Sequence, residues 1–424
     1  MTGFAGLATC VHCGFCLQSC PTYVATGDEA DSPRGRIVLL RRLEAGELSA
    51  EDPHLRHHLD RCLGCRGCEP VCPSGVSYGP ALEAAREMLG RRRAPPLVVR
   101  VILHVIAQPA LRRLVFGLAR AVRPIAGTLA GWSRGGFLAG MLAGSRDRGM
   151  EGWRDGGRPL PPPSPPIPRA SPATVFLGCI QRDLFGHVNA AAARTLRANG
   201  YALQEVPRQG CCGALHAHAG QLDTARALAR GNVRAFAEAP ETLVAATAAG
   251  CGAMLREYGV LLADDPLAEE ARRFSTRVRD VTELLADACP ARGAPMPLTV
   301  AYDAPCHLVH AQRVTDAPLA VLGAIPALVI LPHAEADACC GSAGLYSLVQ
   351  RGLSRDILER KLDALAAVGP DVVVTGNPGC AMQLAAGMRA SGLGTPVVHP
   401  VELLDASYAR AGRYTEDAVD SRVP

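Results

Sequence analysis

Residues 10–21 read CVHCGFCLQSCP, and residues 62–73 read CLGCRGCEPVCP. Each stretch places four cysteines within eleven positions and a proline directly after the fourth. The spacing in both is Cys-x2-Cys-x2-Cys-x3-Cys-Pro. The first part of the chain therefore contains two copies of one four-cysteine motif.

This spacing is typical of the ligands of [4Fe–4S] clusters, where three close cysteines bind one cluster and the fourth binds the other. It predicts two crossed ligand sets. The first set is Cys10, Cys13, Cys16 and Cys72, and the second set is Cys62, Cys65, Cys68 and Cys20. Structural zinc is the alternative, but zinc sites usually separate two cysteine pairs by a dozen residues or more.

The region around these motifs is predicted to be helical. Residues 32–48 (SPRGRIVLLRRLEAGEL) and 79–89 (GPALEAAREML) carry apolar residues at helical spacing, and nothing alternates like a strand. We therefore expect residues 1–90 to form an α-helical, ferredoxin-like domain with the cysteines in its loops.

A basic region follows. Between positions 88 and 146 the chain has ten arginines and no acidic residue, with aliphatic residues between the arginines. Residues 91–157 therefore form either an amphipathic pair of helices on an anionic membrane surface or a packed helical connector. The proline-rich stretch at 158–172 is predicted to be a stiff linker that marks a domain boundary.

The remaining chain contains a duplication. Four cysteines recur in the same order at offsets of 127 to 129 positions. They are Cys179, Cys211, Cys212 and Cys251 in the first copy, and Cys306, Cys339, Cys340 and Cys380 in the second. Strand-like and helical segments alternate in both copies, which predicts two cysteine-rich α/β repeats at 173–295 and 296–424 with parallel sheets. The cysteines are expected at strand ends or in the loops that follow.

Three roles remain open for these repeated cysteines. They bind a further iron–sulfur cluster or other metal, they perform thiol–disulfide chemistry, or they only pack. Four nearby histidines are candidate ligands or proton carriers: His216, His218, His307 and His310. Cys289 lies outside the duplication and is expected to be buried.

Composition limits the class of protein. A formal charge of +4 over 424 residues does not favour nucleic-acid binding. No apolar run is long enough to predict a membrane span, and no secretory signal is recognised, so we expect a cytoplasmic protein. No glycine-rich dinucleotide motif is found, so a flavin or nicotinamide site is not expected on this chain.

With these residues in view, the chain resembles the iron–sulfur subunit of bacterial glycolate oxidase (glycolate dehydrogenase). The resemblance rests on CVHCGFCLQSCPTY, GDEADSPRGRI, HLDRCLGCRGCEPVCPSGVSYG, APCHLVHAQR, CCGSAGLYS and TGNPGC, and covers nearly the whole chain. The duplicated part resembles the cysteine-rich (CCG) domains of heterodisulfide reductase. Those domains end in Cys-x-x-Cys, whereas Ala248 and Asn377 occupy the first of these positions here. This departure weighs against the cluster pair of that enzyme and against its disulfide-reducing activity.

The resemblance implies an assembly. A separate FAD-containing subunit would oxidise glycolate to glyoxylate, and this chain would pass the electrons through its two clusters to a quinone or another membrane acceptor. It would not oxidise the substrate alone, and it would lie in the cytoplasm, peripherally on the inner face of the cell membrane. The alternatives are a thiol–disulfide enzyme, the iron–sulfur subunit of a lactate or glycerol-3-phosphate dehydrogenase, and a zinc-containing redox sensor or scaffold.

Overall fold

The computed structural model describes residues 4–144 and 171–414. The end of the predicted connector (145–157) and nearly all of the predicted linker (158–170) lie outside the described residues. Pro172, the last residue of the predicted linker, already begins the first strand.

The N-terminal domain is helical, and residues 4–144 contain no strand. Its α-helices are α1 (Pro21–Thr26), α2 (Pro33–Glu44), α3 (Pro53–Asp60) and α4 (Tyr78–Arg92). Proline begins three of them, because its fixed torsion and missing N–H suit the first helical turn. At α2 the Ser32 hydroxyl caps the helix by accepting from the Gly35 amide. Buried Leu40, Leu55 and Leu59 bring α2 and α3 together in one core.

The basic region is also helical. It contains α5 (Leu97–Ala107), α6 (Pro109–Ala126) and α7 (Arg134–Ala143). No single helix in the described ranges has the length and hydropathy of a membrane span. Only α5 taken together with Pro109–Leu129 would meet both criteria, and the chain bends by 107° between them.

The first cysteine-rich repeat is an α/β unit. Its strands are β1 (Pro172–Phe176), β2 (Ala202–Leu203), β3 (Leu243–Ala246) and β4 (Val278–Asp280). They form a parallel sheet in the order β2-β1-β3-β4. Its helices are α8 (Ile180–Leu184), α9 (Gly186–Ala198), α10 (Ala214–His218), α11 (Leu222–Ala237), α12 (Ala249–Arg256), α13 (Tyr258–Leu261), α14 (Ala268–Thr276) and α15 (Val281–Asp287).

The second repeat has the same strand order. Its strands are β5 (Thr299–Tyr302), β6 (Val329–Ile330), β7 (Val372–Val374) and β8 (Val397–Val398), arranged as a parallel sheet β6-β5-β7-β8. Its helices are a short π-helix (His307–Ala311), α16 (Asp316–Gly323), α17 (Tyr346–Val349), α18 (Arg351–Val368), α19 (Pro378–Ala390) and α20 (Pro400–Arg410).

The two repeats share one hydrophobic core, which includes Val175 and Ala245 of the first sheet and Val300 and Val374 of the second. The loops after their strands also meet, since the Ala249 amide donates to the Gly376 carbonyl at 3.1 Å. The prediction of a helical domain followed by a duplicated α/β domain is confirmed. The carboxyl ends of both sheets, where the repeated cysteines lie, are thereby brought towards each other.

Candidate functional site

The first predicted ligand set lies around one small cavity. Cys10, Cys13, Cys16 and Cys72 all line it, together with Cys68 of the other set. Gly14 allows the tight loop between the ligands, because its φ of 88° favours glycine. Cys13 is exposed, so this cavity lies at the surface.

The second predicted set lies deeper. Cys65 and Cys68 each interact electrostatically with Cys62 and with Cys20, although Cys20 comes from the other motif. Cys20 and Cys62 are buried. The Gly64 amide and the Tyr78 hydroxyl donate to the Cys62 sulfur at 3.4 and 3.7 Å. The fold thus brings Cys20 of the first motif beside the thiols of the second motif.

A buried arginine accompanies the second set. Arg36 is 1% exposed, its Nη1 lies 4.0 Å from the Cys20 sulfur, and its Nη2 pairs with the buried Asp31 carboxylate at 3.3 Å. Burial lowers the pKa of Arg36, but nearby Cys62, Tyr78, Cys20 and Asp31 outweigh it and raise the pKa overall. A permanent positive charge is therefore fixed beside the sulfurs.

These surroundings suit an anionic iron–sulfur cluster. Burial raises the pKa of the Cys65 and Cys68 thiols well above the ordinary value, so thiolates there need a strong positive partner. Iron supplies one, and sulfur is the ligand that iron–sulfur clusters use. The soft donors, the amide and hydroxyl donors to sulfur, and the buried cation all fit this group better than they fit free thiols.

In the second repeat the four thiols form a contiguous chain. Cys306 is in hydrogen-bonding contact with Cys339, Cys339 with Cys340, and Cys340 with Cys380. A hydrogen bond from Cys339 holds the pKa of Cys306 well below its ordinary value, and His307 acts in the same direction. Hydrogen bonds from Cys339 and Cys380 likewise lower the pKa of Cys340.

The first repeat builds the same chain from Cys179, Cys211, Cys212 and Cys251, with 3.4 Å between the last two sulfurs. Here the pKa of Cys179 is raised, first by its hydrogen bond to Cys211 and then by burial. The pKa of Cys211 is raised to about 12; its contact with Cys179 opposes that rise, while its contact with Cys212 and burial outweigh it. The duplicated sites therefore share a layout but differ in their electrostatics.

Two candidate histidines meet between the domains. The His307 ring lies beside Cys306, with Nδ1 4.0 Å from the sulfur, and stacks on the His218 ring. His218 Nδ1 contacts the Glu83 carboxylate of the N-terminal domain at 3.0 Å. Of the other two candidates, His216 is buried, and His310 Nε2 contacts the Asp337 carbonyl and lies beside Gly67 of the second N-terminal motif.

A second buried ion pair supports the second-repeat site. The Lys361 ammonium pairs with the Asp303 carboxylate, and both side chains are nearly inaccessible to solvent. Burial raises the pKa of Asp303 to about 7, while Lys361 opposes that rise. Lys361 also interacts with Cys340 and Cys380. A buried ion pair, with Lys361 and Asp303 both interacting with Cys340 and Cys380, therefore lies beside these thiols.

The comparisons with known proteins agree with this arrangement. Residues 6–76 match the family model of a 4Fe–4S dicluster domain. Residues 173–256 and 300–385 each match the model of a cysteine-rich domain. The probable glycolate oxidase iron–sulfur subunit of Bacillus subtilis is 35% identical, over 96% of this chain and 95% of that protein. The glycolate oxidase iron–sulfur subunit of Escherichia coli is 34% identical, over 94% of this chain and 93% of that protein.

The chain belongs to the family of glycolate oxidase iron–sulfur subunits. The resemblance noted in the sequence and the iron–sulfur cofactor predicted from it are thereby confirmed. A more distant relative is a component of the fumarate reductase (CoM/CoB) of Methanothermobacter marburgensis, which is 27% identical over 95% of this chain and 73% of that protein.

Two expectations about single cysteines need correction. Cys289 is exposed, because α15 ends before it and its φ of 52° turns the chain outward. Cys251 and Cys380 lie in the first turns of α12 and α19, beyond the loops in which they were expected. Both helices begin directly after short loops from β3 and β7, so these thiols still reach the carboxyl edges of the sheets.

Sequence reasoning missed several charged and polar residues around the sulfurs, namely Arg36, Tyr78, Asp303 and Lys361. It noted Asn377 only as a departure from the Cys-x-x-Cys pattern, and the structure shows that its amide donates to the Cys380 sulfur. For Arg36 a signal was available, since it stands within GDEADSPRGRI, a stretch that carried the family resemblance. Lys361 is harder to find, because a lysine in a helix is usually exposed. Only the packed structure shows that it is buried.

Proposed function

We propose that this chain transfers electrons from a flavin-containing partner subunit to an acceptor at the membrane, as part of a complex that oxidises glycolate to glyoxylate. The observation that carries the proposal is the regrouping of eight N-terminal thiols into two sets of four. When bound, [4Fe–4S] clusters accept and donate single electrons. Two neighbouring thiol sets that each hold a cluster form an electron-transfer path and not a catalytic site.

The two thiol sets differ in their access to solvent, which gives the path a direction. Exposed Cys13 lies between Val11 and Phe15, whose side chains are 68% and 69% exposed. Exposed apolar side chains next to a redox site favour docking of another protein. We assign this surface to the partner subunit, so that electrons enter at the first set and continue to the enclosed second set.

Two arginines in fixed positions stabilise the negative charge of the thiolates. Arg34 Nη1 donates to the His12 carbonyl in the first loop, and Arg36 lies beside Cys20 of the second set. A cation close to a cluster favours its reduced, more negative state. The chain thereby holds both sites ready to accept an electron without any catalytic side chain of its own.

Substrate and partner follow from the relatives. The proteins of B. subtilis and E. coli that match this chain over nearly their full lengths carry glycolate oxidase in their names. We therefore assign glycolate as the substrate of the complex and place its oxidation on the FAD-containing partner.

The proposed membrane contact is formed by α6. Leu111, Leu114, Leu118, Val122 and Ile125 recur at helical spacing along one face, and all are exposed. On the other side of the helix, Arg112 is buried and pairs with Asp183 at 2.6 Å. The polar side of α6 thus contacts the rest of the protein, and its apolar side faces solvent. Helices that lie in a membrane interface have the same arrangement.

The positive charge of the region around α6 favours a lipid surface, and not a second protein, as its binding partner. The ten arginines between positions 88 and 146 have no acidic neighbours within that stretch. Basic segments are attracted to the anionic inner leaflet of the cell membrane. We therefore propose a cytoplasmic protein bound peripherally to that leaflet, with a membrane quinone as its acceptor.

The crossed ligand sets can be tested by counting iron. A triple variant with serine at Cys10, Cys13 and Cys16, purified anaerobically with its partner, is expected to lose about four irons per chain. Adding Cys72→Ser should change nothing further, whereas adding Cys20→Ser should remove about four more. The opposite result would reject the crossing, and zinc without iron in the wild type would reject the function.

A further inference from the structure

A cavity of about 340 Å³ lies between the two repeats. The first repeat contributes Phe185 to its apolar lining, and the second repeat contributes Leu393. Thr375 and His399, which directly follow β7 and β8, also line it. The cavity therefore opens at the carboxyl ends of strands, where α/β proteins usually bind small molecules.

Two buried polar side chains of this cavity lack a partner. Gln181 is 3% exposed and Thr375 is 1% exposed. Within residues 4–144 and 171–414, the Gln181 Oε1 atom and the Thr375 hydroxyl have no hydrogen-bond partner. Buried polar groups are nearly always hydrogen-bonded, and the cavity is much larger than one water molecule needs. We read the two unpartnered atoms as contacts for a bound organic molecule.

A histidine and a carboxylate form a polar pair in the same cavity. His187 Nε2 lies 3.3 Å from Glu402 Oε1, and the two side chains are 24% and 5% exposed. The lining also contains Arg389, which donates to the carbonyls of Gly140 and Ala385. Because the charges of Glu402 and Arg389 are opposite, the lining favours a neutral ligand over an ion.

The second-repeat thiols lie between this cavity and the N-terminal thiol sets. Cys65 packs in one hydrophobic cluster with Cys306 and Cys339. At the other end of the same row of thiols, the Asn377 amide donates to the Cys380 sulfur at 3.5 Å. Asn377 also lines the cavity. The cavity therefore lies at the end of a row of thiols that begins beside Cys65.

The basic helices border the cavity as well. Gly144, which directly follows α7, is part of its lining. Arg123 of α6 donates to the Leu184 carbonyl at 3.5 Å, next to Phe185 in the lining. The apolar face of α6 is the membrane contact of the proposed function. The cavity thus lies near the surface from which a lipid-soluble molecule would enter.

We propose that this cavity binds the headgroup of the membrane quinone, with Thr375 and Gln181 as hydrogen-bond partners of its oxygen atoms and His187 as its proton donor. This proposal rests on the electron-transfer role proposed above and assigns a site to its acceptor. A quinone headgroup is neutral and largely apolar, with two carbonyl oxygens. The Thr375 hydroxyl donates to a carbonyl oxygen, and Gln181 Oε1 accepts from a hydroxyl of the reduced form.

Reduction of the quinone consumes two electrons and two protons. Glycolate oxidation on the partner subunit supplies the electrons, which arrive one at a time through the N-terminal sites. Each carbonyl oxygen of the quinone gains a proton and becomes a hydroxyl group. The protons come from solvent through His187, which is partly exposed and is held in place by Glu402.

Glycolate-dependent reduction of decylubiquinone by the anaerobically purified complex tests this site. Ferricyanide serves as a second acceptor, because it takes up electrons without protons. Thr375→Val removes one hydrogen bond, so the KM for decylubiquinone should rise about fivefold while the ferricyanide rate stays constant. Thr375→Ser keeps a hydroxyl and should restore most of the affinity.

Thr247→Val is the matched change in the first repeat. Thr247 directly follows β3, as Thr375 follows β7, but its hydroxyl donates to Asn189 Oδ1 at 2.7 Å. This variant should leave the KM for decylubiquinone unchanged.

His187→Asn tests proton delivery separately. The kcat with decylubiquinone should fall about a hundredfold, whereas the KM and the ferricyanide rate should stay constant. His104→Asn changes an exposed histidine on α5 and should alter none of these values. An unchanged kcat in His187→Asn would exclude the proton-donor role.

A wild-type KM for decylubiquinone in Thr375→Val would overturn this proposal and leave the proposed electron transfer intact. The same holds if the wild-type complex reduces ferricyanide but not decylubiquinone. Reduction of neither acceptor by the wild-type complex would instead count against the proposed function.

Discussion

The imidazole rings of His218 and His307 stack nearly parallel, with 5.3 Å between their centroids. His218 belongs to the first repeat and His307 to the second, and the contact from His218 to Glu83 extends the group into the N-terminal domain. Because burial of Glu83 is outweighed by His218, the pKa of this carboxyl group is lowered. One stack of two rings therefore joins all three parts of the described chain.

We expect a coupling free energy of about 0.5–1.5 kcal/mol between these rings, which is the usual range for an aromatic pair. A double-mutant cycle with His218→Ala and His307→Ala, read by denaturant unfolding of the holoprotein, measures it. His104→Ala changes an exposed histidine on α5 and serves as the control. Strictly additive effects would show that the stacking contributes nothing.

Replacing Arg36 by methionine is expected to destabilise the N-terminal domain by about 1–3 kcal/mol, because buried Asp31 would lose one partner while keeping Arg61 and His58. Iron content should fall with stability, since the charge beside Cys20 also disappears. Arg42→Met is the matched control, because Arg42 lies on the same helix and its side chain is 61% exposed. Equal stability of the two variants would argue against the role given to Arg36.

The apolar face of α6 predicts binding to lipid vesicles. Wild-type protein should float with vesicles that contain anionic lipids, more strongly at low salt than at high salt. The double variant Leu114→Asp/Leu118→Asp should lose most of this binding, because both side chains are more than 60% exposed and lie on the same face.

Val260→Asp is the matched control for vesicle binding, since Val260 is 69% exposed but lies on α13. If the double variant binds vesicles normally but no longer binds the partner subunit, the face is a protein interface and the membrane assignment is wrong.

His399 predicts a pH dependence of stability. Its Nδ1 accepts from the Val401 amide at 3.1 Å, and burial lowers the pKa of this histidine from 6.5 to about 4. Protonation therefore favours the unfolded chain. The stabilisation is complete above pH 6.5 and is lost as the pH falls towards about 4, where the loss should reach about 3 kcal/mol.

Asparagine at position 399 also caps a helix but does not titrate in this range, so His399→Asn should remove this part of the pH dependence. The difference between wild type and variant, measured from pH 7 to 4, isolates His399 from acid damage to the clusters. His187 and Glu402 also face this histidine. The pKa of Glu402 is lowered from 4.5, so the contribution of Glu402 to stability is lost only when the pH falls below 4.5.

Much of this architecture was predictable because it follows from the spacing of cysteines and apolar residues along the chain. The Cys-x2-Cys-x2-Cys-x3-Cys-Pro runs predicted that Cys20 would lie with the second motif and Cys72 with the first. Constant offsets between cysteines predicted two α/β repeats with parallel sheets. Helices α2 and α4 followed from apolar periodicity. In each case the physical cause is the spacing of residues along the chain, which the sequence shows directly.

The surroundings of the sulfurs were not predictable in the same way. Arg36 and Lys361 approach cysteines from other elements, where only the fold decides which side chains are buried. The contact between Cys65 and Cys306 joins residues 241 positions apart, and no periodicity reports how two domains dock. The direction of Cys289 depends on where α15 ends, which sequence patterns locate poorly.

The unequal access to the two N-terminal thiol sets also bears on how the protein matures in the cell. Cys13 stays open to solvent after folding, so a scaffold protein can still deliver iron and sulfide there, and oxygen can still attack it. Cys20 and Cys62 are buried in the folded chain, so we expect their metal to arrive before the surrounding structure closes. Repair after oxidative damage is therefore expected to be routine at one site and to require partial unfolding at the other.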